Sequence, residues 1–238
     1  MRWRDGMKLP DPIGLREKLQ QTHVISVTSQ FSKEKKSTLS FSSTDDCFVL
    51  SRGSMDFPHP EIAAEVTSSS VLWALSLLKS HHSYWRDKKL VVGRIIRSVN
   101  WTLYNKRKEP GFEEGLGSIV GVLLFGEKYF FVISVGISHI SLIRNKTILP
   151  LVENSESILG IDKKEPPHIF YSDKLHSNDI FIMSSHALEY FSVVPIIQKL
   201  LPEGSISQES LQKSADAIAG LAKKKKLAKF LVSIVTYL

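Results

Sequence analysis

Hydrophobic residues near the start of the chain come in short runs separated by polar segments. Residues 23–28, 38–41 and 47–51 are rich in β-branched and aromatic side chains, which favour extended backbone. The polar segment 42–46, Ser-Ser-Thr-Asp-Asp, has the composition of a turn. The pattern therefore predicts three strands, of which the second and third are joined by this turn.

The next part of the chain has a helical period. Pro60 suits the first turn of a helix, where proline is tolerated. The buried face of this helix is predicted from hydrophobic residues that recur at helical spacing, Ile62, Val66, Trp73 and Leu77. Leu72 and Leu75 broaden this face. A second helix is predicted over residues 88–106, with Val92, Ile95, Val99 and Leu103 on its buried stripe. Trp73 is expected in the core.

A long hydrophobic stretch follows at residues 115–144. The turns 126–128 and 144–146 join hairpin partners, so the stretch predicts three consecutive strands, and residues 147–152 predict another. The polar segment 153–168 predicts a loop, and residues 179–183 a short strand with 168–171 as its candidate partner. Helices are predicted over 187–201 and 208–224, and a final strand over 230–237.

This order of elements predicts an α+β fold. Blocks of strands separated by helix pairs are typical of two mainly antiparallel sheets flanked by helices. The chain has 238 residues, of which 42% are hydrophobic and 23% charged, and this suits one domain with a sizeable core. We divide it into a basic extension, residues 1–22, and one domain, residues 23–238.

Composition and charge exclude several classes of protein. The single cysteine, Cys47, excludes a disulfide framework and a cysteine-rich zinc site. Residues 1–22 lack the apolar run of a secretory signal, and no segment has the roughly 18–20 apolar residues of a membrane span, so we expect a cytoplasmic protein. The net charge is +7. However, the lysine run 223–226 lies at a predicted helix end and has no interleaved aromatic residues. Nucleic-acid binding is not expected.

Four motifs lie beside the predicted strands and helices. They are F-V-L-S-R-G-S at 48–54 with E-V-T-S at 65–68, V-N at 99–100 and L-Y at 103–104 with G-L-G-S at 115–118, V-G-I-S-H at 135–139, and N-D-I-F-I-M-S-S-H-A-L at 178–188. They resemble, in the same order, four motifs of the metal-dependent protein phosphatases, the type-2C or PPM-like family. The first two family motifs are F-V-V-A-D-G-M-G-G with G-E-V-A-S, and A-N and L-Y with G-M-G-S. The third is V-G-D-S-R, and the fourth is G-D-x-L-L-L-C-S-D-G-L. The resemblance covers nearly the whole chain from residue 23 and implies a four-layer α-β-β-α sandwich.

The resemblance also implies that the family's metal site is altered here. These phosphatases hold two divalent metals with aspartates, and the matching positions are Arg52, His186 and Lys229. Gly53 matches a position that offers a backbone carbonyl, and Ile137 replaces a further aspartate. Because fixed cations repel a divalent ion, we expect no metal, no cofactor and no catalytic residue. The implied function is that of a pseudophosphatase, a binding or regulatory module for a protein partner, with a phosphorylated protein as the candidate.

Three alternatives remain open. Arg52 and Lys229 suit contact with a phosphate group, although we favour a cleft that has lost its ligand and whose cations reach solvent. The chain is alternatively a divergent serine/threonine phosphatase that uses manganese or magnesium, with Asp56 as a candidate replacement ligand. The last alternative is a basic adaptor that binds polyanions through its surface.

Other polar residues near the motifs have simpler explanations. Asp45 and Asp46 are expected in the turn between two strands. His139 is not clustered in sequence with other ligand-type residues, so a structural or solvent-facing role is expected. Three small residues beside the inferred cleft have neither a base nor an orienting acid that the sequence identifies, and nucleophilic catalysis is not expected. They are Ser118, Ser184 and Ser185.

Overall fold

The computed structural model describes residues 24–32, 38–79, 88–126, 128–136, 139–145, 147–152, 156–186, 193, 195–198, 206–227 and 229–237. Ten strands and three helices with defined bounds lie within these residues. The expectations for residues 1–22, for Ile137 and for most of the helix at 187–201 lie outside them. None of the described helices has the length and apolar character needed to cross a membrane.

Two five-stranded antiparallel sheets form the centre of the fold. The strands are β1 (Val24–Ser32), β2 (Leu39–Ser43), β3 (Cys47–Gly53), β4 (Ser118–Phe125), β5 (Tyr129–Val135), β6 (His139–Arg144), β7 (Thr147–Pro150), β8 (Ile169–Lys174), β9 (Ile180–Ser184) and β10 (Lys229–Tyr237). The first sheet has the order β1-β10-β9-β6-β7, and the second has the order β2-β3-β4-β5-β8.

Helices cover the outer face of each sheet. The helices α1 (Pro60–Lys79) and α2 (Lys88–Lys106) pack on the second sheet, and α3 (Gln208–Lys224) packs on the first. A separate hydrophobic cluster fills the space between the sheets, where the rings of Phe130 and Phe181 meet edge to face with centroids 4.7 Å apart. This arrangement is a four-layer α-β-β-α sandwich, and it confirms the predicted fold class.

The elements with the strongest helical period have the predicted bounds. The four predicted stripe residues of α2 are all buried. The helix α3 begins after Ser207, whose hydroxyl oxygen accepts the backbone N–H of Ser210 at 3.1 Å. It ends with Lys223 and Lys224 in its last turn, where cations complement the helix dipole. Local sequence is therefore sufficient to define both helices.

The buried face of α1 differs from the predicted one. Trp73 is 61% exposed and Leu77 is 49% exposed, so the prediction that Trp73 lies in the core is wrong. The buried stripe consists mainly of small residues: Ala63, Ala64, Thr67, Ser68, Val71, Ala74 and Leu75. These side chains let α1 approach the sheet so closely that the hydroxyl of Ser51 in β3 donates to the carbonyl of Ala64 at 2.6 Å. Trp73 and Leu77 are left on the side of the helix that faces away from the sheet. Leu75 is buried as predicted, and Ile62, Val66 and Leu72 are partly buried against the core.

Strand pairing differs from the prediction in two places. The predicted hairpins β4–β5 and β6–β7 are confirmed. However, β6 does not continue the first hairpin, because it pairs with β9 in the other sheet. The prediction that residues 168–171 pair with β9 is wrong: β8 pairs with β5, and both edges of β9 are occupied by β10 and β6. The chain crosses between the sheets after Val135, where Gly136 has a φ of +82° that suits glycine.

Candidate functional site

A cavity of about 380 Å³ lies where the two sheets meet, beside the end of β3, the end of β9 and the start of β10. Its lining includes Arg52, His186 and Lys229, so the structure brings together three of the positions singled out in the sequence. Two carboxylates, those of Asp56 and Glu156, also line it. We refer to this space as the cleft.

Arg52 reaches across the cleft from the second sheet towards the first. Its Nη1 donates to the backbone carbonyl of Ser185 at 3.2 Å, and its own carbonyl accepts the hydroxyl of Ser118 at 3.1 Å. Burial lowers the pKa of Arg52, but an arginine side chain remains protonated in proteins. A permanent positive charge is therefore held at the boundary between the sheets.

Lys229 places a second cation in the same cleft. It is the first residue of β10, lies opposite Ser32 of β1 and is only 8% exposed. Its Nζ lies 3.4 Å from the sulfur of Met55, which belongs to the loop after β3. A thioether is a weak acceptor, so this contact orients the ammonium group without balancing its charge.

His186 follows β9 and is held by its neighbour. Its Nδ1 lies 2.9 Å from the hydroxyl oxygen of Ser185, which in turn accepts the backbone N–H of Leu231 at 3.0 Å. Burial lowers the pKa of His186 to about 4, with smaller contributions from the positive charges of Arg52, His139 and Lys229. The imidazole is therefore neutral at pH 7, and one hydrogen bond joins its Nδ1 to the hydroxyl of Ser185.

The structure gives Ser185 a histidine contact that the sequence did not predict. Ser185 is nevertheless 1% exposed, and its oxygen is already bonded to a strand amide. The two other serines are also buried and bonded to carbonyls, since Ser118 donates to Arg52 and Ser184 donates to His186 at 2.9 Å. These hydroxyls fix the backbone around the cleft and are not placed to attack a ligand.

His139 lies close to Arg52 and His186, and the sequence interpretation missed this proximity. It is the first residue of β6 and lies opposite Ser184 of β9. Burial and the charge of Arg52 lower the pKa of His139, and His139 in turn contributes to the lowered pKa of His186. The sequence does not reveal this proximity, because β6 and β9 are neighbours in the sheet although they are distant in sequence. We call Arg52, His139, His186 and Lys229 the basic cluster.

Gly53 has a packing role that accounts for its presence. A Cβ atom at this position would overlap the carbonyl group of Pro60 at the start of α1. Its backbone N–H donates to the carbonyl of Thr38 at 2.9 Å. Glycine is therefore required here because β3 and α1 approach each other closely, whatever the cleft binds.

The carboxylates near the cleft are placed at its mouth or far from it. Asp56 is exposed and accepts a hydrogen bond from the hydroxyl of Ser54 at 3.1 Å, and Glu156 is exposed as well. Asp45 and Asp46 lie in the turn between β2 and β3, at the opposite end of β3 from Arg52. That location agrees with the turn role expected for them.

The donor set of the cleft does not fit a pair of divalent metals. Such ions require several anionic oxygen ligands, whereas Arg52 and Lys229 place two cations in the cleft, and the carboxylates of Asp56 and Glu156 are exposed. Within the described part of the chain, no three His, Cys, Asp or Glu residues are grouped so that they could hold a metal ion. The residues present are better suited to hold an anion.

Solved structures provide the comparison with known proteins. The serine/threonine phosphatase PstP/Ppp of Mycobacterium tuberculosis is 15% identical, with a TM-score of 0.70 over 90% of this chain and 98% of that chain. The catalytic domain of PstP in complex with two manganese ions is 15% identical, with a TM-score of 0.68 over 90% and 99%. The phosphatase Stp1 of Staphylococcus aureus is 15% identical, with a TM-score of 0.68 over 92% and 96%. No protein-family model and no curated protein matches the sequence.

One of these structures corrects the expectation about cofactors. We expected no cofactor for this domain, but a structure that shares its fold over 90% of the chain is a complex with 2 manganese ions. The expectation of no cofactor is therefore wrong for a domain of this fold, and manganese is the ion to test. The resemblance to the phosphatases is confirmed by the shared architecture over nearly the whole chain. The chain has the fold of the PPM-type serine/threonine protein phosphatases.

Proposed function

We propose that this domain does not hydrolyse phosphoesters and acts as a binding or regulatory module for a protein partner, with phosphorylated proteins as the partner class. The observation that carries the proposal is the placement of Arg52 and Lys229, two fixed cations, in the cleft at the strand ends. The proposed location is the cytoplasm, and a chain whose single cysteine, Cys47, is buried and forms no disulfide suits such a reducing compartment.

The physical argument concerns the charge at the cleft. Two-metal phosphatase chemistry uses the ions to generate the nucleophile and to neutralise the charge that develops on the phosphoryl group. Two unit charges 4 Å apart interact with about 4 kcal/mol at the effective dielectric constant near a protein surface. Arg52 and Lys229 therefore oppose a divalent ion in the cleft, and the neutral imidazole of His186 offsets neither charge. The same cations attract the phosphate group of a ligand without supplying a nucleophile.

A divergent serine/threonine phosphatase is the second candidate. The observation that favours it is the position of Asp56 and Glu156, whose carboxylates line the same cleft. Carboxylate oxygens are suitable ligands for manganese or magnesium. This function requires both carboxylates to act together in spite of the adjacent cations.

The test is a manganese titration combined with a turnover assay. Metal-stripped full-length chain is titrated with manganese in a calorimeter, and hydrolysis of an aryl phosphate and of a phosphoserine peptide is followed over the same manganese range. The Asp56→Asn/Glu156→Gln variant, prepared identically, controls for a copurified phosphatase. We expect no turnover above that of the variant. Manganese-dependent turnover that the variant lacks would establish the divergent enzyme and reject the binding module.

A further inference from the structure

Three basic side chains line the cleft, and a fourth, that of His139, lies close to two of them. Arg52 comes from β3, His139 from β6, His186 from the segment after β9, and Lys229 from β10. Burial is the main cause of the lowered pKa of both His139 and His186, and the nearby charge of Arg52 lowers both further, as does that of Lys229 for His186. The cleft is thus a region of positive potential built by both sheets.

The guanidinium group of Arg52 is oriented by a contact that uses one of its two terminal nitrogens. Arg52 uses Nη1 for the carbonyl of Ser185, and within the described residues it forms no ion pair. A guanidinium group has five N–H donors in a planar fork, which matches the oxygens of a phosphate group. A cavity of about 380 Å³ has room for such a group and lies within the range of about 300–1,000 Å³ found for ligand sites.

Charge is segregated between the interior and the mouth of this cleft. Lys229 is 8% exposed and Arg52 is partly buried, whereas Asp56 and Glu156 are both exposed. An anionic group inside the cleft would therefore meet the basic cluster, and the residues on either side of it would meet carboxylates. This distribution complements a negatively charged side chain within a basic segment.

We propose that the cleft binds the phosphate group of a phosphoserine or phosphothreonine that lies in a basic segment of a partner protein. Arg52 and Lys229 hold the phosphate oxygens, and Asp56 and Glu156 contact the flanking Lys or Arg side chains. Inorganic phosphate offers the same anionic oxygens without the flanking residues, so it can serve as a competitor. This inference rests on the proposed function, since it names the partner class of the same cleft.

The test is peptide binding to the full-length chain at pH 7 in the presence of EDTA, measured by fluorescence anisotropy. The probes are a phosphoserine peptide with flanking arginines, its unphosphorylated form, a phosphoserine peptide with flanking glutamates, and inorganic phosphate as a competitor. We expect the basic phosphopeptide to bind at least about tenfold more tightly than either other peptide, a difference of about 1.4 kcal/mol. Inorganic phosphate should compete only at much higher concentration.

Two pairs of variants separate the roles of the groups. Arg52→Gln should weaken binding of the basic phosphopeptide about tenfold or more, whereas Arg97→Gln, which removes the same charge from an exposed position on α2, should leave it unchanged. Asp56→Asn/Glu156→Gln should abolish the preference for basic over acidic flanks while phosphate competition is retained.

Four results would overturn the inference. The first two are equal binding of the phosphorylated and unphosphorylated peptides, and equal losses of peptide affinity in the Arg52 and Arg97 variants. The third is binding that appears only when manganese replaces EDTA. The fourth is competition by inorganic phosphate at the same concentration as the peptide. If Arg52→Gln does not fold, NMR titration of the wild type decides, because a phosphate group in the cleft should raise the pKa of His186 from about 4. An unchanged midpoint at a saturating peptide concentration would also count against it.

The two proposals fail in different ways. Hydrolysis of a phosphopeptide with manganese, together with tight binding in EDTA, would reject the inactive module and keep the phosphate site. Absence of turnover together with absence of binding in EDTA would keep the inactive module and reject the phosphate site.

Discussion

The guanidinium of Arg52 donates to the carbonyl of Ser185 at 3.2 Å and so connects β3 of the second sheet with the end of β9 in the first. A fixed positive charge therefore lies at the boundary between the two sheets, where it would repel the divalent ions of a two-metal site. Metal affinity and the pH dependence of stability are the properties in which the charge at this boundary can be measured.

Reversal of the two fixed charges should increase metal affinity. In Arg52→Asp/Lys229→Asp, two cations become carboxylates beside Asp56, and divalent ions prefer such oxygen ligands. We expect manganese to bind at least about tenfold more tightly than to the wild type by calorimetry. The control Arg97→Asp/Lys213→Asp makes the same change in net charge at exposed positions on α2 and α3. An equal gain in the control would show that overall charge alone is responsible.

Gly53 and Gly220 should respond in opposite directions to alanine. Gly53→Ala places a Cβ atom against the carbonyl of Pro60, so overpacking should cost about 1–3 kcal/mol of unfolding free energy. Gly220 lies within α3 and has open space around it, so Gly220→Ala should add about 1 kcal/mol through helix propensity. Urea denaturation measures both effects. Equal stability of wild type and Gly53→Ala would mean that β3 and α1 separate easily.

Acid should destabilise the domain through His186. Its pKa is lowered from 6.5 to about 4 in the folded state, because it is buried and faces Arg52, His139 and Lys229. The unfolded chain therefore binds the proton more readily, and stability is lost as the pH falls from about 6.5 to about 4. The loss is about 2 kcal/mol, because solvent reaches the half-buried imidazole and screens part of the effect. Unfolding free energies of His186→Gln should depend less on pH in this window, while His168→Gln, outside the cleft, should follow the wild type. Parallel curves for all three proteins would contradict the assignment.

Arg144 and Asp179 should stabilise the end of the sandwich away from the cleft. Nε and Nη2 of Arg144 donate to the two carboxylate oxygens of Asp179 at 2.8 and 2.7 Å, and these bonds raise the pKa of Arg144. Asp179 is 1% exposed, so Arg144→Met leaves a buried carboxylate without its partner and should cost about 3–5 kcal/mol. Arg97→Met, which breaks an exposed pair with Glu165, should cost about 1 kcal/mol or less in the same urea titration. Similar losses in both variants would show that burial of the pair is unimportant.

The sequence predicted local elements better than their partners. The bounds of α2 and α3 follow from a strong helical period, which depends only on nearby residues. The placement of β6 and β8 in different sheets could not be predicted, because each strand has the same pattern whichever neighbour it pairs with. Trp73 was assigned to the core because it recurs at helical spacing with Val66 and Leu77, whereas close approach of α1 to its sheet requires the small residues on the opposite side.

The candidate site was predicted only in part, because pairing between distant strands also determines which residues lie near it. Arg52, His186 and Lys229 were identified from motifs, and the structure brings them to one cleft. His139 was missed because its contribution depends on the pairing of β6 with β9, which no local pattern specifies. The register of His139 opposite Ser184 is the signal that sequence inspection lacked.

The position of β10 has a consequence for how this protein is made. It lies between β1 and β9, and Ser233 on it donates to the carbonyl of Val27 across a sequence separation of 206 residues. On the ribosome, β1 emerges long before its partner, so the first sheet cannot close until residues 229–237 have been synthesised. Until then β1 and β9 each present an edge that other strands can join, and chaperones are expected to shield them. Lys229 arrives with this last strand, so a nascent chain acquires the complete cleft only at the end of translation of the domain.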